Sequence, residues 1–563
     1  MQAAAPDAVH ANVAPAASRW DRVFLAALLA VQAVASVVSA HLHVGTINPD
    51  GIAYLLNAEH YLRGDFGLAV NGYWGPMFSW MAAGFLACGV EPVLAGHLTM
   101  SVTGLVFTYG AHELLAATIG RRAGGFAGTG GGPGAGLPGG VAAAQLGTVL
   151  AAAAALTWGA DLMTPDLLLG GLLAVFAARV VDDATWREPR RAFAAGLWLG
   201  AAYLAKAVAL PTGVGFLLIV AAVLTWTTAA SWRDRARTVV LVGAGCALLA
   251  LPWIVALSAH YGRPTWSTTG PIAHAVVGPG NIDRWYPTFR GFHAPEPGRL
   301  TSWEDPTYLT YATWSPLQDW THFRHQTRVV GNNAFTITGY LKLADYLGLG
   351  AACTLLGFVL ALGSRAALAA ERWRWAGAGT LCVVFPYLFV YAYGERYFWP
   401  AYPFLLVSAL GLALRATRDA PAAARRIAVA IVAASFALGL GSYEVLWYPY
   451  SVDIRPSLAA AFARRDDVRV AASREAAAEI RAAGAVGPIC SNVGDGLYVA
   501  FFARIPCHGE EPDPSLARLD EVGARTVVAL AKSPLDTRLT ASPAWRRLQA
   551  ATTVLSVFVR EDR

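Results

Sequence analysis

The side chains of this chain that are best suited to chemistry are a few charged residues at the edges of apolar segments. Asp50 lies in NPDGIAYLLNAEHYLRGDF, and Tyr54 follows it at helical spacing. A carboxylate in this position can cap a helix, or it can act as a general base if it faces a wet cavity. Lys206 interrupts the apolar run AYLAKAVALPTG, and Arg396 lies in YGERYFWPAYPF. A charge within a membrane-spanning segment is costly, so such residues are candidates for function.

Four further candidates have similar surroundings. Asp161 and Asp166 lie just before and within TPDLLLGG, and Glu395 and Tyr397 flank Arg396. Each motif is weak when taken alone. A single lysine in a helix can extend its ammonium group to the membrane surface, and adjacent Glu and Arg residues can form a local ion pair.

Composition places these residues in a membrane protein. Of the 563 residues, 56% are hydrophobic and only 14% are charged, whereas a soluble protein needs about 25% charged residues. With roughly 20 apolar residues per crossing, we expect about eleven to thirteen transmembrane helices. The apolar runs are 23–40, 76–90, 92–118, 141–159, 164–180, 192–205, 207–228, 238–258, 343–363, 375–394, 398–415 and 427–443.

The distribution of arginine predicts the orientation of the chain. The net charge is +6, and clusters such as Arg121/Arg122 and Arg190/Arg191 lie between apolar runs, as in cytoplasmic loops. The excess of basic residues therefore indicates the orientation of the chain in the membrane, and no nucleic-acid partner is expected. This orientation makes 1–22 a cytoplasmic tail and places 41–75, 259–342 and everything after 443 outside. Because a full crossing by 76–90 would put Arg121 outside, we expect that run to be re-entrant or partial.

The remaining segments have distinct compositions. Residues 124–140 form a glycine-rich link, and 455–563 are predicted to be a small extracytoplasmic α/β domain, with a helix over 473–484 and strands at VGPICSN, RTVVAL and VLSVFV. Loop 259–342 is rich in tryptophan, which suits either a cover over a cavity or interfacial anchoring. Cys490 and Cys507 both fall outside the membrane, so a disulfide and two free thiols remain equally open.

Taken in order, these motifs resemble the GT-C superfamily of polyprenyl-phosphate-dependent glycosyltransferases, near the bacterial protein O-mannosyltransferase and aminoarabinose–lipid A transferase branch. The matching positions are Asp50 with Tyr54, Pro76, Pro165–Asp166, Lys206, Pro252–Trp253, and Arg396–Tyr397 with Pro400 and Pro403. Two positions depart from the family pattern. Gly51 follows Asp50 where the family often has a second carboxylate, and a Lys-Pro-Pro motif is reduced to Gly75–Pro76.

The resemblance implies an inverting glycosyltransferase in the inner membrane of a bacterium, with a GT-C-like catalytic domain over 23–454. The donor would be a polyprenyl-phosphate sugar, and the acceptor a glycan, lipid or protein, in contact with membrane lipids. Asp50 would be the catalytic base, and Lys206 and Arg396 would neutralise the leaving phosphate. Cavity contacts are expected from Tyr54, Asp161, Asp166, Glu395 and Tyr397. Neither a cofactor nor a metal is expected.

Two other classes remain open on the sequence. A transporter or lipid flippase commonly contains inverted repeats, and no convincing repeat relates the two halves of this chain. A non-enzymatic scaffold would act through the domain over 455–563. His322 and His325 have an i, i+3 spacing that suits a metal, but no third ligand accompanies them, which favours a surface role.

Overall fold

The computed structural model describes residues 19–120, 137–227, 231–281, 284–363, 371–391, 394–441, 444–448, 451–454, 457–548 and 554–561. Across these residues, a bundle of apolar helices is joined to a C-terminal α/β domain. Most of the predicted glycine-rich link and of the N-terminal tail lies outside the described residues. The fold class expected from the sequence, a polytopic helical protein with a small C-terminal sheet, is confirmed.

The helices that precede the C-terminal domain overlap every predicted apolar run, although the run 343–363 is helical only from Leu349 and the α-helix in the run 375–394 ends at Val384. They are α1 Arg19–Leu42, α2 Pro49–Arg63, α3 Phe66–Ala69, α4 Pro76–Ala87, α5 Pro92–Thr118, α6 Gly140–Asp161, α7 Asp166–Val180, α8 Asp183–Arg187, α9 Pro189–Ala205, α10 Ala209–Thr227, α11 Trp232–Tyr261, α12 Thr269–Val276, α13 Trp320–Lys342, α14 Leu349–Gly363, α15 Trp375–Val384, α16 Tyr402–Ala416 and α17 Ala422–Gly439. A 3₁₀ helix, Glu395–Ala401, leads directly into α16.

Six helices in the described part of the chain are long and apolar enough to cross a membrane. They are α1, α5, α6, α11, α17 and the continuous segment Glu395–Ala416. Shorter apolar helices fill the space between them. One of these, α7, has 15 residues and is buried almost all round, because it packs against both α5 and α9. The bundle therefore contains core helices as well as helices that face lipid.

The length of α4 bears on the expectation that the run 76–90 does not cross the membrane fully. With 12 residues, this helix is about 18 Å long, whereas the hydrocarbon core of a bilayer is about 30 Å thick. It cannot cross fully and instead packs against α2 and α5. The following helix, α5, has 27 residues and is long enough to span. A partial crossing by α4 agrees with the expectation from the sequence.

The C-terminal domain is built on a mixed sheet of six strands with the order β1-β5-β4-β6-β8-β7. The strands of the chain are β1 Gly291–Phe292, β2 Glu444–Tyr448, β3 Ser451–Ile454, β4 Ile489–Ser491, β5 Cys507–Glu510, β6 Thr526–Leu530, β7 Trp545–Arg547 and β8 Leu555–Arg560. The helices of the domain are α18 Val468–Ala482, α19 Asp495–Ala503, α20 Leu516–Glu521 and α21 Pro534–Ala541. The predicted helix begins earlier than expected because Asp467 caps it.

One strand of this sheet comes from outside the predicted domain. β1 belongs to loop 259–342 and pairs antiparallel with β5. Next to it, the amide of Cys507 donates to the carbonyl of Leu300 over 2.8 Å. Separately, β2 and β3 form a hairpin between the bundle and the domain. The loop and the C-terminal domain therefore form one folded unit at this end of the bundle.

The two cysteines of the sheet are free and buried. Cys490 belongs to the hydrophobic core on one face of the sheet and Cys507 to the core on the other, because their side chains leave adjacent strands in opposite directions. Burial raises the pKa of the Cys507 thiol to about 12, so this thiol is protonated at neutral pH. The choice that the sequence left open is thus decided in favour of two free thiols.

The carboxyl of Glu510, in β5, makes the stability of the C-terminal domain depend on pH. Burial raises the pKa of this carboxyl from 4.5 to about 7. Because the folded domain holds the proton more tightly than the unfolded chain, stability falls as pH rises from about 4.5 to about 7. We expect Glu510→Gln to raise the unfolding temperature of the domain at pH 8 and to leave it unchanged at pH 4, as measured by calorimetry. Glu475→Gln, on the exposed face of α18, is the control, and an equal gain at both pH values would contradict the prediction.

Candidate functional site

Asp50 lies at the start of α2, and this end of the helix is held in place by Asn48, two residues earlier. The Asn48 side chain accepts from the amide of Met163 over 2.9 Å and donates to its carbonyl over 3.3 Å, which ties α2 to the turn between α6 and α7. Pro49 occupies the first turn of α2, where its missing N–H costs nothing. The Asp50 oxygens bond to distant side chains, so within the described residues this carboxylate does more than cap its own helix.

The first partner of Asp50 is Arg396. Its Nη1 lies 2.5 Å from Asp50 Oδ2, and both side chains are largely buried. Arg396 belongs to the 3₁₀ helix Glu395–Ala401, which points its guanidinium group towards the start of α2. A charge-assisted contact of this kind is strong because little water competes with it.

A second ion pair lies close to the first. Lys206 ends α9 in an extended conformation, and its Nζ lies 2.6 Å from Oδ1 of Asp166. Asp166 is fully buried at the start of α7 and also accepts from the hydroxyl of Thr164. Removal of either partner would leave the other as a buried, uncompensated charge. Loss of one residue of the pair is therefore strongly destabilising.

The ring of Tyr397 connects the two ion pairs. Lys206 Nζ lies 4.6 Å from the ring centroid, and the Arg396 guanidinium carbon lies 5.1 Å from it. Arg396 also donates to the Tyr397 hydroxyl over 3.4 Å. Both cations therefore lie close to one aromatic ring, which brings them to a common location. The four charges of Asp50, Asp166, Lys206 and Arg396 balance one another. We refer to these four residues and Tyr397 as the charged cluster.

Tyr54 and Glu395 lie next to the charged cluster. Tyr54 is one turn beyond Asp50 on α2, is 2% exposed, and packs its ring against Trp74 and Phe78 at centroid distances of 5.0 and 4.9 Å. Its ring is therefore part of the buried aromatic packing next to Asp50. Glu395 begins the 3₁₀ helix that carries Arg396 and is half-buried.

Asp161 does not join the charged cluster. It ends α6, and its carboxylate accepts from Nη1 of Arg465 over 2.7 Å. Arg465 belongs to the segment that leads into the C-terminal domain, where a bridge also joins Gly45 to Asp466. Two residues expected to act together are thus separated by the turn between α6 and α7. Asp161 attaches the domain to the bundle, whereas Asp166 faces Lys206.

The motif Gly75–Pro76 lies against the residue that precedes Lys206. A Cβ atom built on Gly75 would lie 2.2 Å from the backbone oxygen of Ala205, so no larger residue fits there without moving the end of α9. Pro76 then begins α4. Although this chain lacks the fuller motif of the family that it resembles, Gly75 allows close packing against the end of α9, next to Lys206.

A tryptophan that the sequence did not single out also contacts Asp50. The indole Nε1 of Trp303 donates to Asp50 Oδ1 over 3.2 Å, and the residue is 5% exposed. Trp303 lies in loop 259–342, where the sequence placed several tryptophans without distinguishing between them. By contrast, Trp285 and Trp320 are exposed by 46% and 70%. The tryptophans of the loop therefore differ in burial, and no local sequence signal predicts which of them is buried.

The histidines with i, i+3 spacing have separate partners. His322 Nδ1 lies 2.8 Å from Asp319 Oδ2, and His325 Nε2 lies 2.7 Å from the carbonyl oxygen of Val277. In the described part of the chain, no three His, Cys, Asp or Glu side chains are arranged to hold a metal ion. The charged cluster offers only two carboxylates, and each is engaged by a cation.

Comparison with known proteins gives matches at the level of structure. No protein-family model matches the chain, and no curated protein does. The crystal structure of ArnT from Cupriavidus metallidurans bound to undecaprenyl phosphate matches with a TM-score of 0.54 and 15% identity, over 96% of this chain and 98% of that one. Its apo form gives 0.52 at the same identity, over 96% and 97%. The Archaeoglobus fulgidus oligosaccharyltransferase gives 0.50 and 12%, over 91% and 70%. The chain is therefore a multi-pass membrane protein with the GT-C fold.

Proposed function

We propose that this protein is an inverting glycosyltransferase that moves a sugar from a polyprenyl-phosphate donor to an acceptor hydroxyl. One observation carries the proposal. A buried carboxylate and two cations meet at the same end of the bundle, in a fold shared with an ArnT structure that holds undecaprenyl phosphate. A base and a phosphate site side by side are what transfer from a lipid phosphate requires.

Asp50 acts as the general base. As the acceptor oxygen attacks the anomeric carbon, its proton passes to the Asp50 carboxylate. The bond between the anomeric carbon and the phosphate oxygen breaks, and its electron pair leaves with the phosphate. A single displacement of this kind inverts the configuration at the anomeric carbon. Asp50 then loses its proton to the released phosphate or to water, which restores the ionised carboxylate.

Lys206 and Arg396 stabilise the leaving phosphate. Arg396 has five N–H donors and holds Asp50 through one of them, so it can bind a phosphate oxygen without releasing the carboxylate. Lys206 is a point charge whose ammonium has three donors, of which one reaches Asp166. The charge that develops on the phosphate in the transition state is therefore met by two fixed cations in a site with little water.

A cleft beside the C-terminal half of α2, which no residue of the charged cluster lines, is a candidate site for a part of the acceptor away from the reacting hydroxyl. The cleft, of about 470 Å³, lies between α2, loop 259–342 and the C-terminal domain, and it is lined by charged and apolar side chains. Its lining residues are Leu56, Glu59, His60, Leu62, Arg63, Gly298, Leu300, Glu304 and Arg504. Such a mixed surface suits a hydroxyl-bearing glycan, lipid or protein. We place the cleft and the C-terminal domain on the extracytoplasmic side of a bacterial inner membrane, opposite the arginine clusters.

A donor screen tests the proposal. Membranes that contain the protein are incubated with a panel of labelled polyprenyl-phosphate sugars, and the labelled product is isolated and identified. We expect transfer from at least one donor, with inversion at the anomeric carbon as determined by NMR. Membranes that contain the Asp50→Asn variant are the control. Absence of transfer from every donor, together with movement of lipid or sugar across proteoliposomes, would instead favour a transporter or flippase.

A further inference from the structure

We propose that Trp303 is a positioning residue for Asp50 and that the C-terminal domain holds Trp303 in place. The inference rests on the proposed role of Asp50 as the base. Two partners engage the carboxylate, with Arg396 on one oxygen and the Trp303 indole on the other. In the reaction, the phosphate draws on the donors of Arg396. Among the described residues, only Trp303 then bonds to Asp50 without also serving the phosphate.

The indole ring of Trp303 is fixed by close packing. It lies among aromatic rings of the loop and of the segment before α4, with centroid distances of 4.9 Å to Phe289, 5.0 Å to Tyr286 and 5.3 Å to Trp74. The backbone is held as well, because the Trp74 indole donates to the carbonyl of Trp303 over 2.9 Å. A ring held on several sides keeps its N–H pointing at Asp50 Oδ1.

The next residue, Glu304, anchors the turn that presents Trp303. Its side chain is fully buried, with Oε1 accepting from the amides of Leu300 and Thr301 over 2.6 and 2.9 Å. Its Oε2 lies 3.0 Å from Nε2 of His60 on α2. The Glu304 carbonyl accepts from the side chains of Asn57 and Asn71. The turn is thus attached to the helix that carries Asp50.

The C-terminal domain holds the other side of this turn. Thr301 bridges to Cys507, β1 pairs with β5, and the amide of His293 donates to the carbonyl of His508 over 2.5 Å. A bidentate contact from Arg504 to Glu59, at 2.7 and 3.0 Å, joins the same domain to α2. Segment 291–304 is therefore clamped between the sheet and α2, and Trp303 lies at its inner end.

The contact affects the reaction through the geometry and the ionisation of the carboxylate. An N–H donor stabilises the ionised form and keeps the second oxygen aimed at the acceptor. Besides Trp303, the titratable side chains whose charges act on Asp50 come from three further elements and the segment before α4. They are Tyr54, Tyr73, Arg396 and Tyr498, and Arg396 in turn interacts with Tyr397 and Asp166. Because tyrosines are neutral near pH 7, the charges around Asp50 are those of Arg396 and of the Asp166–Lys206 pair, and the indole adds an uncharged hydrogen-bond donor.

The Trp303→Phe variant tests the proposal, since it keeps an aromatic ring and removes the N–H. We expect kcat to fall about 10-fold with the donor KM changed less than twofold, as for the loss of one hydrogen bond to a charged group. The acid limb of the pH–rate profile should move to higher pH. Trp314→Phe is the matched control, because its indole N–H donates to the carbonyl of His274 and not to Asp50. Unchanged kcat and an unchanged profile in folded Trp303→Phe would overturn the proposal.

A second measurement needs neither the Trp303→Phe variant nor activity. The chain is labelled with 5-fluorotryptophan, and its ¹⁹F NMR spectrum is compared with that of labelled Asp50→Asn. We expect a tryptophan resonance that titrates in the unsubstituted protein and that is shifted and insensitive to pH in Asp50→Asn. Identical spectra would overturn the Trp303–Asp50 contact. If a tryptophan resonance titrates as expected but no sugar transfer is found with any donor, the proposed function is overturned. The Trp303–Asp50 contact then still stands.

Discussion

Asp50→Asn should lower the rate of sugar transfer by about 10²- to 10⁴-fold, the range that a general base contributes. Asparagine keeps the shape of the side chain and its oxygen can still accept the Trp303 N–H, but it cannot take a proton from the acceptor. The measurement is the initial rate with the donor found in the screen, in purified protein at matched concentration. Unfolding temperature and elution volume should stay close to those of the unsubstituted protein.

Asp65→Asn is the matched control for this variant. Asp65 lies just after α2, is about half exposed and pairs with Arg63 at the surface, so its loss should change the rate less than twofold. If folded Asp50→Asn turned over at the rate of the control, Asp50 would not be the base. The base would then have to be sought among other carboxylates.

Lys206→Met should lower kcat by about 10²- to 10³-fold, as expected for the loss of one group that stabilises developing negative charge. Methionine matches the length and apolar stem of lysine but has no charge to offer the phosphate. Because it would leave Asp166 buried without its cation, stability should also fall. The double variant Lys206→Met/Asp166→Asn removes both charges and should recover stability without recovering the rate.

Lys342→Met is the control for the lysine variants. It replaces an exposed lysine at the end of α13, and the chain has few lysines from which to choose. We expect the control to keep its rate. If the double variant were stable and as fast as the control, the phosphate would not rely on Lys206, and Arg396 alone would have to supply the positive charge.

Much of the fold follows from the sequence because composition and apolar periodicity act locally. Runs such as 92–118 and 238–258 must be helical in lipid, where every backbone group needs an internal partner. The strands of the C-terminal domain could be predicted for a similar reason, since VGPICSN and RTVVAL contain short apolar runs that are bounded by turn residues. The proximity of Asp50 to Arg396 and of Asp166 to Lys206 was expected only from the order of motifs along the chain.

The remainder could not be predicted because it depends on pairing between distant segments. Trp303 and Asp50 are 253 residues apart, and Asp161 and Arg465 are 304 apart. Nothing in the local sequence chooses which tryptophan of loop 259–342 is buried, or which aspartate faces Lys206. Likewise, the two residues of β1 are too few to be recognised as a strand before their partner β5 is known. These contacts are set by tertiary packing between segments that are distant in sequence.

The clamp on segment 291–304 determines when the site becomes complete during synthesis. Trp303 emerges from the ribosome roughly 200 residues before Cys507, which is about 10 to 40 seconds at ordinary rates of elongation. Within that interval the helices α13 to α17 are translated, while the segment next to Asp50 still lacks its partner strand. The nascent chain therefore carries Asp50 without this support until β5 has been translated.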